Sequence, residues 1–283
     1  MTYRILSQSL WPLADSVRKY LKDHRGLGHI KVEEEVDKEV PRPTLHALDK
    51  DKSIVCVDFL EDSCFGVNSQ TFVNKCKARQ LPVRLYITCP DSAQKASFAK
   101  DLKTARENGV GVIGVSPAGN VTVISEAISL LLTDLRRQDP KDFPPKYRGD
   151  LEQAHQTYLQ VNPPKGCAAI YDMVEALTRA IARKLHKQGL IAPWQASPID
   201  LDRTAWFKVA DDIYRHLDFQ KARQLTKPLW AQVIAATKPR NDTGHQPRTV
   251  QERVKRDKEL RTRFETAGDL LRNLIDATHG WGV

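Results

Sequence analysis

The chain has 283 residues, enough for two domains that each bury their own core. Hydrophobic residues make up 41% and charged residues 28%, which excludes a disordered chain. No apolar run approaches the roughly 18–20 residues of a membrane span. The net charge of +9 favours a polyanionic partner such as RNA or DNA.

The opening MTYRILSQSLWPLADSVRKYLK lacks the layout of a signal peptide, so a cytoplasmic protein without a membrane partner is expected. Residues 4–23 carry Leu6, Leu10, Leu13, Val17 and Leu21 at helical spacing and predict an amphipathic helix. In HIKVEEEV, Ile30, Val32 and Val36 alternate with charges, a strand pattern with one wet face. SIVCVDFL (53–60) is β-branched on both faces, as a central strand should be. A helix near 69–79, a strand over 83–89 and a helix over 93–108 follow, with Gly109 as the helix-ending glycine. Strands over 110–115 and 121–124 complete an α/β domain spanning residues 1–137.

Residues 138–164 read as a linker with a short helix near 150–160, because DPKDFPPKYRGD is rich in proline and charge. Residues 165–283 carry no strand signal. Four apolar stripes recur at helical spacing: Ile170 to Ile181, Trp206 to Leu217, Leu225 to Val233, and Leu260 to Leu274. The expected fold class is therefore mixed α and β, an α/β domain followed by an all-α bundle.

The five cysteines Cys56, Cys64, Cys76, Cys89 and Cys167 form no C-x-x-C pair and read as buried free thiols. Between the third and fourth stripes lies KPRNDTGHQPR (238–248). Arg240 is followed directly by Asn241, and His245 stands five residues after the arginine. Arg18 with His24, Arg148 with His155, and Arg179 with His186 also satisfy a loose Arg–His spacing, but no amide follows those arginines.

The Arg240-Asn241…His245 arrangement, just before the last long helix, resembles the R-x(4–6)-H motif of the HEPN superfamily, over roughly residues 165–278. The resemblance implies a helical bundle that dimerises and cuts RNA without metal or other cofactor. His245 would be the acid/base, Arg240 would hold the scissile phosphate, and Asn241 would orient one of them. Those residue types suit the chemistry. Histidine exchanges protons near neutral pH, and an arginine fork matches phosphate oxygens. Pro239 and Gly244 depart from a smooth helix end and place the motif in a loop. Asp242 caps the following turn or tunes His245. Glu175 either faces the site or lies on the surface. His279 and Trp281 have no motif around them.

The fourth helix begins QERVKRDKELRTRF, with the basic run Arg253, Lys255, Arg256, Lys258, Arg261 and Arg263, which reads as an RNA track or as a solvated face. The order of elements in residues 1–137 resembles the restriction-endonuclease-like PD-(D/E)XK fold. Its metal positions would fall on Asp58, with Leu60 in place of lysine, and on Thr44 or His46; Glu33, Glu34 and Glu35 lie nearby. This resemblance implies a domain with a broken metal site, used for sensing, nucleic-acid binding or assembly. A flavodoxin-like three-layer domain is its rival.

The expected function is a metal-independent HEPN endoribonuclease in phage defence or as a toxin, with RNA, a second copy, and partner defence proteins or an antitoxin as partners. The alternatives are a non-catalytic HEPN binding or dimerisation subunit, and a DNA-acting nuclease using the first domain.

Overall fold

The computed structural model describes residues 3–59, 67–90, 99–160, 162–197, 199–222, 225–238 and 247–282. They sort into two compact units. The first comprises Met1–Leu135, Gln156–Pro163 and His245–Arg261; the second comprises Arg136–His155, Pro164–Gly244 and Thr262–Val283. Among the described residues no helix is long and apolar enough to cross a membrane.

The first unit is built on a mixed six-stranded sheet in sequential order: β1 (Lys31–Val32), β2 (Leu45–Leu48), β3 (Ile54–Phe59), β4 (Val83–Pro90), β5 (Gly111–Val115) and β6 (Val121–Ser125). The outer pairs are antiparallel, whereas β3–β4 and β4–β5 are parallel. Each parallel step needs a crossover, supplied by α2 (Val67–Ala78) and α3 (Ala99–Glu107).

Strand alternation divides the side chains into two cores. Leu45, Val55, Val57, Ile113 and Val115 pack with Ala14, Val17 and Leu21 of α1 (Trp11–Asp23). Cys56, Leu85, Ile87 and Val112 pack with Phe72, Val73 and Cys76 of α2 and Ala105 of α3. The sheet is thus covered on both faces, which is why β3 and β5 are apolar on both sides.

Gly109, with φ +70°, ends α3 as its spacing predicts. At Gly111 a Cβ would stand 2.5 Å from the Tyr86 ring and 2.7 Å from the Ala127 nitrogen, so only glycine lets β5 approach so closely.

The strand expected across HIKVEEEV shrinks to two residues. Glu33 adopts φ +51°, which breaks the extended backbone. Its carboxylate accepts the backbone N–H groups of Arg4, Ile5 and Leu6. These bonds hold Glu33 below the usual carboxylate range, outweighing the opposing effect of burial.

The proline-rich stretch read as linker is largely helical: α4 spans Pro145–Gln160. Proline is compatible with the first helical position, since its missing N–H would have no intrahelical partner there. α5 (Pro163–Lys187) starts the same way.

The remaining helices are α6 (Ala192–Ala196), α7 (Trp206–His216), α8 (Lys227–Thr237) and α9 (Val250–Ala277). The apolar stripes of the second unit are buried on Ile170, Val174, Leu177 and Ile181; on Val209, Ala210 and Ile213; and on Phe264, Ala267, Leu271 and Leu274. In α8 the buried anchor is Trp230, whose Nε1 donates to the Ala210 carbonyl at 2.8 Å, while Leu229 is only half-buried.

Candidate functional site

In chain order, Arg240, Asn241 and His245 lie between α8 and α9; they, with Pro239, Asp242 and Gly244, lie outside the described residues. The helices on either side have well-defined starts. Thr226 caps α8 by accepting the Leu229 N–H at 3.3 Å. Thr249 accepts the Glu252 N–H at 3.1 Å, and Glu252 reaches back to the Arg248 N–H at 2.6 Å. This reciprocal exchange resembles a capping box and fixes where α9 begins. Thr249-x-x-Glu252 was a readable signal for it in the sequence.

The basic run that opens α9 divides by burial. Lys255, Arg256 and Lys258 are exposed, and Lys255 pairs loosely with Glu259 at 3.9 Å. Their ammonium and guanidinium groups can meet a phosphate backbone from solvent. Arg253, expected on the same track, is 9% exposed and turned inward. Its Nη1 donates to Asp51 Oδ2 at 2.6 Å, and its Nε stands 3.0 Å from Asp257 Oδ1 without the alignment of a hydrogen bond.

Asp51 is the hub of this network. It also accepts from Arg84 at 2.5 Å and from the Ser53 hydroxyl at 2.6 Å. Burial alone would raise its pKa, but Ser53, Arg84 and Arg253 outweigh burial and hold the carboxyl below the usual range. The pairing of Asp51 with Arg253 crosses 202 positions of sequence, so no local pattern announced it. Arg261 also points inward, with its Nη1 3.4 Å from the Leu131 carbonyl.

Glu175 is committed to structure. Its carboxylate accepts from Arg179 Nε at 2.9 Å and Nη2 at 2.6 Å, and Arg179 in turn donates to the carbonyls of Leu201 and Thr204. The pair pins the chain between α6 and α7 onto α5. His279 is exposed and Trp281 half-buried.

In the first unit, Thr44 and Asp58 face each other across β2 and β3, and the Thr44 hydroxyl donates to Asp58 Oδ1 at 2.9 Å. Burial raises the Asp58 pKa, offset in part by Thr44 and the Phe59 N–H. His46 is buried, and its ordinary pKa is lowered by burial and then by Lys31. Among the described residues no three His, Cys, Asp or Glu side chains converge as a metal site. Glu34 and Glu35 make surface ion pairs with Lys31 and Arg42.

Cys56, Cys76 and Cys167 are buried free thiols, and burial pushes Cys76 and Cys167 up to about 12. That is the opposite of a reactive cysteine.

Comparison with protein-family profiles, with curated proteins and with solved structures returned no match to this chain.

Proposed function

We propose that the chain is a metal-independent endoribonuclease of the HEPN type, acting in the cytoplasm as a homodimer in phage defence or as a toxin. The observation that carries this reading is the Arg240-Asn241…His245 spacing, set in the chain between the helices α8 and α9. The exposed Lys255, Arg256 and Lys258 on the first turns of α9 supply positive charge next to the motif in sequence.

In the reaction, the RNA 2′-oxygen attacks the adjacent phosphorus and the bond to the 5′-oxygen breaks. His245 of one copy takes the 2′-proton and its counterpart gives a proton to the leaving oxygen. Arg240 neutralises the charge that builds on the phosphoryl oxygens. The products are a 2′,3′-cyclic phosphate and a 5′-hydroxyl. The α/β unit serves as the sensing or partner-recruiting module, with a restriction-endonuclease-like sheet whose metal chemistry is lost.

The test is induced expression of the wild type beside Arg240→Ala and His245→Ala, with growth and RNA ends followed. Growth arrest with cyclic-phosphate ends is expected, reduced about 100-fold or more by either substitution. Equal behaviour of all three chains would sink the ribonuclease reading and leave a non-catalytic binding subunit.

A further inference from the structure

The first unit carries a cleft of about 530 Å³ beside the short edge strand β1, within the range of small-molecule sites. Its origin is the shortness of β1. Lys31 and Val32 pair with His46 and Leu45, and nothing in β1 continues alongside Ala47 and Leu48. The cleft opens where that pairing stops.

Its floor is apolar: Val36, Leu48 and Ile54, the last two cross-strand partners in β2 and β3. Leu48 is 50% exposed, a large apolar side chain left in contact with solvent.

Its rim is cationic. Lys31, Lys50 and Lys52 surround the floor against one acid, Asp49. The Asp49 carboxylate is already engaged by the Lys50 N–H at 2.6 Å and by Arg84 at 3.6 Å. Lys31 meets Glu34 at 3.2 Å on the surface, whereas Lys50 and Lys52 have no carboxylate partner among the described residues. Lys50 reaches over Gly26, where a Cβ would stand 3.7 Å from its Nζ.

His46, 8% exposed, also lines the cleft.

We propose that this cleft binds a nucleoside phosphate. The base lies on Val36, Leu48 and Ile54, and the phosphoryl oxygens meet Lys31, Lys50 and Lys52. The apolar floor selects against a bare inorganic anion. The inference concerns the α/β unit alone and does not depend on the ribonuclease reading.

The test is calorimetric titration of the full chain with the four ribonucleoside 5′-monophosphates, adenosine, inorganic phosphate, and a single-stranded oligonucleotide without terminal phosphates. One monophosphate per chain is expected to bind at least about tenfold more tightly than adenosine or inorganic phosphate, each of which offers half of the recognition. Lys50→Glu and Leu48→Glu replace exposed side chains, so they leave the thermal unfolding curve in place. Each is expected to weaken binding about tenfold or more through charge repulsion or loss of the floor. The proposal is overturned if no monophosphate outcompetes inorganic phosphate, if binding ignores both substitutions, or if only the oligonucleotide binds.

Discussion

Two buried side chains decide their own consequences. Arg253 sits between Asp51 and Asp257, and Asp257 is 2% exposed. Removing the guanidinium leaves a buried carboxylate without its counter-charge, which costs far more than the pair itself contributes. Arg253→Ala is therefore expected to destabilise the fold by about 3 kcal/mol in urea unfolding. Lys255→Ala with Arg256→Ala is expected to shift stability by less than about 0.5 kcal/mol and to lower RNA affinity instead. An Arg253→Ala chain of full stability would return that residue to the RNA track. His155 is the second case. It is buried on α4 with its ring 5.4 Å from Phe264, and its Nε2 lacks a hydrogen-bond partner. Burial first, then Arg137, lowers its pKa from 6.5 to about 4. The folded state thus resists a proton that the unfolded chain accepts below pH 6.5. Stability from this group is intact above pH 6.5 and declines as pH falls toward 4. Between pH 7.5 and 5 the loss is on the order of 2 kcal/mol. The His155→Gln chain should show a shallower decline over the same window, and parallel curves would assign the acid sensitivity elsewhere.

Elements were legible where local chemistry decides them. SIVCVDFL reads as a central strand because both faces are apolar, and β3 is central. The stripes of α5, α7 and α9 were visible as helical spacing because each buries one face. Three features escaped for identifiable reasons. The HIKVEEEV strand was cut short by Glu33, whose carboxylate serves a chain segment about thirty residues earlier. The linker's short helix, expected near 150–160, begins earlier because proline is a helix opener as well as a breaker: Pro145 opens α4 and Pro163 opens α5. The stripe Leu225, Leu229 and Val233 leaves out Trp230, which buries its ring and still finds a carbonyl for its N–H. Of the proposed site residues, Arg240, Asn241 and His245 rest on spacing in the sequence. The inward turn of Arg253 was not legible there, because charge alone does not distinguish a solvated arginine from one paired across the fold.

At the scale of the whole molecule, the first unit is not a continuous stretch of chain. Besides Met1–Leu135 it takes in Gln156–Pro163 and His245–Arg261. The second segment brings Tyr158 and Leu159, 0% and 3% exposed, and the third brings Arg253 and Asp257. A fragment of residues 1–137 would carry the sheet and both of its apolar cores but none of these four side chains. Burial of two large apolar side chains is worth roughly 1.5–3 kcal/mol each, and Asp51 would lose one of its two arginines. Against a typical domain stability of about 5–15 kcal/mol, that loss is a large share of the margin. The fragment is therefore expected to unfold at a clearly lower urea concentration than the same unit in the full chain, with poor dispersion in its amide NMR spectrum. A well-dispersed spectrum and an unchanged midpoint would show that the later segments add little, and that the sheet with its three helices is self-sufficient.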